Sequence, residues 1–307
     1  MRPALSILFF TTLSGAGYGL WFLLGLAVAT GAPMAQQNDA IRAGMLAGLV
    51  LSTAGLLFSV AHLGRPERAW RAFSQWRSSW LSREGVAALG CALVAFALAA
   101  SFSSELSAGV QRVLAIALLA TSVLVVFCTA RIYSSLPTIA AWHNRYVLPV
   151  FLSFAFYTGS LFWWLLAITF GADDSVLGIP AALTIAFGAI IACACKVAYW
   201  RHIDRNPSAA STGSAIGLER LGTVRSVEQP HTEANYLTRE MAFVVARKHA
   251  GRLRLVALLF GFAAPLMLLA MSIGIPSVNM IAACLALLSA MLGAFVERWL
   301  FFAEAKH

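Results

Sequence analysis

Charged residues are scarce in this chain of 307 residues: aspartate, glutamate, lysine and arginine together make up 11% of it. A soluble domain usually carries about 25%. Hydrophobic residues make up 60%, and the mean hydropathy is +0.79. Backbone groups inside a bilayer must be hydrogen-bonded within helices or closed barrels. Barrel strands alternate apolar and polar residues, whereas the apolar runs here are unbroken. The composition therefore predicts an all-α integral membrane protein.

Cysteine is also scarce, and its spacing lacks the patterns of metal and cluster sites. All five cysteines fall inside apolar runs, and none forms a CxxC pair. Cys193 and Cys195 are two residues apart, so they point to different sides of a helix. We interpret the five as small hydrophobic residues packed within the bundle. The sequence predicts neither an iron–sulfur cluster nor a zinc site in this chain.

Histidine is almost confined to the segments between apolar runs. Only His62 lies at the end of a predicted span, and the others fall in predicted loops or tails: His143, His202, His231, His249 and His307. A b-type haem inside a helical bundle usually takes two histidines on facing helices. We therefore expect no haem and no redox centre that belongs to this chain alone.

Eight apolar runs are long enough to cross a bilayer, which takes about 20 residues. They cover residues 5–29, 41–63, 85–102, 113–130, 147–170, 176–200, 255–275 and 277–295. The first run is longer than the 7–15 apolar residues of a cleaved signal peptide, so we interpret it as a span. Its segment "SGAGYG" offers a small surface that suits close helix contact.

The connectors are short except for one, so we interpret residues 1–307 as a single polytopic membrane domain with a long cytoplasmic loop at 201–254. The second part of this loop, "YLTREMAFVVARKHAGRLRL", has helical periodicity. It is either an extension of the seventh span or an amphipathic helix at the membrane interface.

Lysine and arginine are distributed unevenly between the two sides of the predicted bundle. With eight spans, both termini and the 2–3, 4–5 and 6–7 connectors share one side, which holds 20 of the 22 basic residues. The other side holds Arg42 and Arg112. The positive-inside rule then places both termini in the cytoplasm. The net charge of +9 therefore reflects the orientation of the chain in the membrane. We expect the chain to contact membrane lipid and to bind no nucleic acid.

The connector between the second and third spans, "HLGRPERAWRAFSQWRSSWLSREG", concentrates charge and aromatic rings. His62 begins it, and ionisable residues at membrane depth are functional candidates. Three arginines recur at a spacing that puts them on one side of a helical turn: Arg65, Arg68 and Arg71. Glu84 follows Ser82, a predicted N-cap, so helix capping alone also accounts for it. An interfacial segment with an aromatic belt explains the same composition.

A histidine, a carboxylate and arginines beside apolar spans suit a quinone, which has a lipid-soluble tail and two oxygens that accept hydrogen bonds. His62 would exchange a proton with the ring, and Glu84 would relay it to water. An arginine would stabilise developing negative charge. Two further pairs at the same edge either belong to this site or simply mark the interface: Arg131 with Tyr133, and Glu297 with Arg298.

Four segments resemble the membrane-anchor subunits of dimethyl sulfoxide reductase (the DmsC type), and the likeness runs over most of the chain. They are "HLGRPERAWRAF" with "WLSREG", "RIYSSLPTI", "EQPHTEANYLTREMAFVVARKHA" and "ERWLFFAEAKH". The resemblance implies an anchor without its own cofactor, docked to a ferredoxin-like, four-cluster iron–sulfur subunit that passes electrons to a molybdopterin catalytic subunit. It also implies that His62 and Glu84 bind quinol. Position and chemistry add four weaker candidates: Arg65, Arg71, Tyr133 and Arg298.

The segment "PHTEANYLTREMAF" is more similar to the anchors of cytoplasmic quinone-linked sulfite dehydrogenases. Electrons would then enter the quinone, menaquinone or ubiquinone, from sulfite instead of leaving quinol for a sulfoxide or N-oxide. We expect a non-catalytic, multi-pass subunit of a heterotrimeric molybdoenzyme in the bacterial inner membrane. The alternatives are a structural anchor without a working quinone site and a secondary transporter, which would have broken helices and polar residues at the membrane midplane.

Overall fold

The computed structural model describes residues 4–32, 37–61, 65–103, 107–171, 179–206, 222 and 244–305, with the backbone alone at 72 and 244–248. Within these ranges the protein forms an all-α bundle. Its helices are α1 (Leu5–Thr30), α2 (Asn38–Ala61), α3 (Trp80–Ser101), α4 (Ala108–Ser134), α5 (Val147–Phe170), α6 (Ala181–Arg205), α7 (Val244–Leu258), α8 (Ala264–Gly274) and α9 (Asn279–Ala303).

Eight helical stretches in the described part of the chain are long and apolar enough to cross a membrane, which confirms the predicted eight spans. The seventh, His249–Gly274, comprises most of α7, a π-helical segment at Leu259–Ala263, and α8. The eighth, Pro276–Ala303, begins with one 3₁₀ turn and continues as α9. Because α7 runs without a break into the seventh span, the end of the loop is an extension of that span and not a separate interfacial helix.

The first helix is the centre of the bundle, and α2, α4 and α5 all pack against it. Small residues allow these close contacts. A Cβ atom on Gly17 would lie 2.9 Å from Gly48 O of α2, and one on Gly19 would overlap Ala155 O of α5. In lipid, helix association depends on such van der Waals packing because the surrounding lipid tails are as apolar as the helices. The small surface predicted for the first span is therefore confirmed.

Side chains join several helix ends at one end of the bundle. Trp142 Nε1, in the connector after α4, donates to Phe301 O near the end of α9 at 3.1 Å. Arg254 of α7 pairs with Asp204 at the end of α6 and with Glu304, which follows α9. The ends of α4, α6 and α9, the beginning of α5 and the second half of α7 therefore meet here, and we call this end the basic edge.

The opposite edge is where α2 begins and α3 ends. Arg42 Nη2 donates to Phe102 O at 3.3 Å and to Ser103 Oγ at 3.1 Å. Successive spans therefore run in alternating directions. This arrangement puts Arg42 at the end of the bundle opposite the basic edge.

Three details of the sequence interpretation are corrected. The N-cap of α3 is Ser79, whose hydroxyl accepts from Ser82 N at 3.5 Å, and not Ser82. Lys196, which the charge count places with the loop after the sixth span, lies inside α6 and is 0% exposed. His202 and His249 likewise lie in helices, although both are near the basic edge.

A proline explains the π-helical segment of the seventh span. Pro265 has no N–H, so it leaves backbone carbonyls of the preceding turn without their usual donor. Tyr157 Oη donates to Gly261 O at 2.8 Å, and Ser289 Oγ donates to Phe260 O at 2.8 Å. Neighbouring helices thus satisfy the freed carbonyls, as membrane helices require.

Candidate functional site

Glu84 lies in the second turn of α3 and is 2% exposed. Its carboxylate accepts a hydrogen bond from Thr129 Oγ1 of the neighbouring helix α4. Because the helix begins at Trp80 and is capped by Ser79, capping does not account for Glu84. A carboxylate inside a span is costly unless a partner satisfies it. The side chain is therefore directed into the bundle and held there by α4.

Arg298 of α9 is 3% exposed, and its Nε forms an ion pair with Glu297 Oε2 at 2.7 Å. The guanidinium lies over the Phe151 ring of α5, with Cζ 4.0 Å from the ring centre. Nη1 and Nη2 make no hydrogen bond within the described part of the chain. The interpretation of Glu297 and Arg298 as simple interface markers is therefore wrong, since both are buried in the bundle.

Arg298 and Thr129, the partner of Glu84, line one cavity between α1, α4, α5 and α9. We call it the polar cavity because several residues that carry hydroxyl groups line it: Thr11, Thr12, Ser14, Tyr18 and Thr158. The hydroxyl of Thr12 has no hydrogen-bond partner among the described residues. The cavity has a volume of about 20 Å³, which suits a water molecule.

An apolar cleft adjoins the polar cavity on the side of the membrane interior. Val123 and Val126 of α4, Leu152 and Phe156 of α5, and Phe22 of α1 form most of its wall. Its volume is about 250 Å³, and Val123, at its rim, is 37% exposed on the lipid-facing surface. Three residues line both the cleft and the cavity: Tyr18, Val126 and Ala155. The cleft therefore leads from lipid to the polar groups.

Tyr133, near the end of α4, packs in an aromatic cluster beside Arg298. Its ring stacks on Phe151 at 5.8 Å between centres and meets Phe301 edge-on at 5.6 Å. Arg298 Cζ lies over the same two rings. Tyr133 is 9% exposed, so the structure brings it together with Arg298 in the protein interior.

Lys196 is a charged residue of this region that the sequence reasoning missed. Its Nζ pairs with Glu297 and lies 4.1 Å from the centre of the Tyr199 ring. A lysine inside an apolar run is a signal that sequence reasoning can use, because such residues are costly in lipid. Thr129 gave no comparable signal, since helical threonines commonly bond to their own backbone.

Arg65 and Arg71 lie apart from this interior group, on the exposed connector. Residues Pro66–Gln75 form a 3₁₀ helix with three residues per turn, so the arginines at 65, 68 and 71 share one side as predicted. Trp70 and Trp76 of the connector are 66% and 51% exposed. Arg83 Nε of α3 donates to Trp76 O at 3.0 Å and attaches the connector to the beginning of α3.

His62 lies outside the described residues, directly after α2, which ends at Ala61. The end of α2 packs beside the beginning of α1, where the rings of Phe58 and Phe9 stack at 4.9 Å. One turn earlier, a Cβ atom on Gly55 would lie 2.8 Å from Ser14 N. Ser14 lines the polar cavity, so α2 reaches the basic edge close to that cavity.

Comparison with known proteins agrees with this architecture. The family model described as DMSO reductase anchor subunit (DmsC) matches residues 1–303. The protein is 33% identical over 326 residues to the C subunit of sulfite dehydrogenase from Allochromatium vinosum, a match that includes all of this chain and 97% of that relative. It is 24% identical over 184 residues to the C component of anaerobic dimethyl sulfoxide reductase from Escherichia coli, a match that includes 58% of this chain and 63% of the relative. The resemblance seen in the sequence motifs is confirmed.

Proposed function

Because the chain belongs to the DMSO reductase anchor subunit (DmsC) family, we propose that it is the membrane anchor and quinone-binding subunit of a heterotrimeric molybdopterin oxidoreductase. It passes electrons between the quinone pool and an iron–sulfur subunit, which exchanges them with the catalytic subunit. One observation carries the quinone assignment. A buried guanidinium with two nitrogens that make no hydrogen bond lines the polar cavity together with Thr129, the partner of a buried carboxylate, and this cavity adjoins a cleft that opens to lipid.

The sizes of the two spaces indicate where a quinone fits. The polar cavity, at about 20 Å³, holds water and not a ring. The apolar cleft, at about 250 Å³, suits the ring and the first part of an isoprenoid tail. Tyr18, Val126 and Ala155 line both spaces, so a ring at their junction faces Arg298 and Thr129. We therefore assign the quinone head, of menaquinone or ubiquinone, to this junction.

When bound, the quinone supplies two-electron, two-proton chemistry. Arg298 orients it by donating from Nη1 or Nη2 to a ring oxygen and stabilises negative charge there. Glu84 holds the exchangeable proton, and Thr129 fixes the orientation of its carboxylate. His62, following α2, exchanges a proton at the same site. Tyr133 positions the aromatic rings on which the Arg298 guanidinium lies.

The exposed connector is the proposed docking surface for the ferredoxin-like iron–sulfur subunit, together with the loop at 201–254. Protein interfaces are enriched in arginine and aromatic residues, and Arg65, Arg71, Trp70 and Trp76 are all exposed here. The positive-inside rule places this surface and both termini on the cytoplasmic face of the bacterial inner membrane.

The orientation can be tested with a cysteine on the connector. We expect Arg68→Cys to react with a membrane-impermeant maleimide in inverted vesicles and to stay unreactive in intact cells, with the unchanged protein as the background for its five native cysteines. Reaction in intact cells only would contradict the orientation.

The relatives support a proposal for the direction of electron flow. The similarity to the sulfite dehydrogenase relative extends over the whole chain, whereas that to the dimethyl sulfoxide reductase relative extends over 58% of it. We therefore favour sulfite as the electron donor and the quinone as the acceptor over reduction of a sulfoxide or N-oxide by quinol.

The quinone assignment is tested by His62→Ala and Glu84→Gln in the purified complex. General acid–base groups contribute roughly 100-fold or more, so we expect reduction of decyl-benzoquinone by sulfite to fall by about that factor. Reduction of an artificial dye that accepts electrons directly from the catalytic and iron–sulfur subunits should be unchanged. Asp39→Asn, an exposed carboxylate at the opposite edge, is the matched control for Glu84→Gln. Full quinone-linked turnover in both site variants would leave only the structural-anchor alternative.

A further inference from the structure

A column of buried ionisable side chains leads from the polar cavity toward the basic edge. Its inner members, Lys196, Glu297 and Arg298, are at most 3% exposed. Arg298 Nε forms an ion pair with one carboxylate oxygen of Glu297 at 2.7 Å, and Lys196 Nζ forms an ion pair with the other. Lys196 lies nine residues before the end of α6 at Arg205, which corresponds to a depth of about 13 Å.

The outer part of the column reaches water. Arg254 donates to the two oxygens of Asp204 at 2.6 and 2.9 Å and to Glu304 at 3.0 Å. The side chain of Asp204 is 55% exposed, whereas that of Glu304 is 6% exposed. Burial raises the pKa of the Glu304 carboxyl, and the nearby Arg254 guanidinium opposes this rise. Trp200 joins the two parts, since Lys196 Nζ and Arg254 Cζ lie 5.1 and 5.4 Å from its ring centre.

Buried polar atoms that make no hydrogen bond lie along the same column of side chains. Eleven buried side-chain nitrogen and oxygen atoms of the described residues make no hydrogen bond, and nine of them lie along this column. Three of the nine, Lys196 Nζ and the two Glu297 oxygens, are held in ion pairs. The other six belong to Thr12, Arg298, Tyr199, Trp200 and Glu304. Buried polar atoms in proteins almost always bind a protein group or an ordered water. Their concentration here indicates a file of water sites from the polar cavity to Glu304.

Stability alone does not explain these charges. Lys196 and Arg298 share the single carboxylate of Glu297, so the inner part has two cations for one anion. Removing ions from water is costly, and buried ion pairs are often no more stable than apolar residues of the same volume. Ionisable residues inside spans characteristically mark ion and proton pathways. The arrangement therefore indicates a function in proton transfer.

We propose that this column is a proton path between the polar cavity beside Glu84 and the water at the basic edge. This proposal rests on the proposed function, because the path carries protons only if Glu84 exchanges protons with a quinone. A proton from bulk water binds the Glu304 carboxylate, and the Lys196 ammonium gives a proton to the Glu297 carboxylate. The proton on Glu304 then passes through water to the Lys196 amine, and Glu297 releases its proton to cavity water, from which Glu84 recovers the proton that it gives to the quinone. One proton crosses, no electron moves, and every group returns to its starting state, while Arg298 stays charged and positions the water.

The path is tested first with Lys196→Met, because Lys196 does not line the polar cavity and the ion pair between Arg298 and Glu297 survives its removal. In the purified complex, quinone-linked turnover should fall about tenfold or more. Dye-linked turnover and the affinity for a fluorescent hydroxyquinoline N-oxide, a quinol analogue, should remain at the wild-type value. The solvent deuterium isotope effect on quinone-linked turnover should rise, because proton transfer becomes rate-limiting.

Glu297→Gln should reproduce the fall in turnover and the larger isotope effect, and Asp39→Asn should match the wild type. If both column variants turn over quinone at the wild-type rate, the path is wrong and the quinone site stands. A fall in turnover without a larger isotope effect would show a structural role only and would also overturn the path. Failure of the wild-type complex to bind the analogue would instead overturn the proposed function, and the path with it.

Discussion

At the scale of single residues, the candidate site depends on a hydrogen bond between neighbouring helices. Glu84 of α3 is buried, and Thr129 of α4 donates to its carboxylate. The same threonine lines the polar cavity together with Arg298. Thr129 therefore both donates a hydrogen bond to the carboxylate and connects Glu84 to the polar cavity.

Thr129→Val retains the shape of the side chain and removes its hydroxyl group. A hydrogen bond to a charged group contributes about 1.5–3 kcal/mol, so we expect quinone-linked turnover of the purified complex to fall by about tenfold. Thr169→Val is the matched control, because Thr169 is exposed near the end of α5 and its hydroxyl donates to Leu165 O of its own helix at 2.7 Å. Equal turnover in the two variants would show that Glu84 does not need this partner.

Sequence reasoning identified some members of the site and missed others for physical reasons. Glu84 and Arg298 stood out as charges at span ends, but their helices extend beyond the apolar runs, and this extension takes both side chains into the bundle. Lys196 was assigned to a loop although it lies inside an apolar run. Thr129 could be recognised as the partner of Glu84 only from the packing of α3 on α4. His62 stays a sequence-based proposal, since it lies outside the described residues.

At the scale of helices, α1 positions the site. Its glycines allow α2 and α5 to approach closely, and its residues between Thr11 and Tyr18 form one wall of the polar cavity. The neighbouring helices α4 and α5 both pack on α1 and leave the apolar cleft between them. The position of α1 therefore controls the junction of cleft and cavity.

Gly19→Ala tests this packing. The added Cβ atom would overlap the backbone oxygen of Ala155, which cannot move aside like a flexible side chain. Overpacking typically costs about 1–3 kcal/mol, so we expect a lower melting temperature of the detergent-solubilised complex and weaker binding of the quinol analogue. At Gly90 of α3 nothing lies within 4 Å of the added atom. Gly90→Ala should therefore leave the melting temperature unchanged or slightly raised, and a similar loss in both variants would contradict the proposed role of the crossing.

The helices themselves were largely predictable, because length and hydropathy define a span. The predicted range 147–170 is the observed α5, and the other spans extend by a few residues at one or both ends, while α6 begins at Ala181 instead of 176. The ends were less predictable, since polar residues cap or continue helices beyond the apolar runs: Ser79 caps α3, and Glu297 and Arg298 continue α9. The π-helical segment before Pro265 also depends on hydroxyl groups that other helices supply.

At the scale of the whole molecule, charges are arranged in two ways. Exposed arginines of the connector suit a protein partner, whereas the buried column around Lys196 crosses part of the membrane interior. If all charges lay at span ends, that would argue against a secondary transporter, which has polar residues at the membrane midplane. The buried position of Lys196 inside α6 weakens this argument. However, every span in the described part of the chain is helical through its centre, including the π-helical seventh span. The single polytopic domain at 1–307 and the loop at 201–254 stay predictions.

A second lipid-facing groove provides the contrast for the quinone site. It lies between α2 and α3, and its volume of about 250 Å³ equals that of the apolar cleft. Leu49 and Phe96 are among the residues that line it, and the polar cavity does not adjoin it. Size alone therefore does not distinguish the two spaces. Arg42 lines the groove at the opposite edge, and only the cleft shares lining residues with the polar cavity.

The most direct test of the quinone site is photo-cross-linking of the purified complex with an azido-quinone, followed by mass spectrometry of the labelled peptides. The expected labels lie on α1, α4 and α5 around Tyr18, Val126 and Ala155, and excess decyl-benzoquinone should suppress them. Labels confined to α2 and α3 around Leu49 and Phe96 would contradict the assignment of the quinone to the junction beside Arg298.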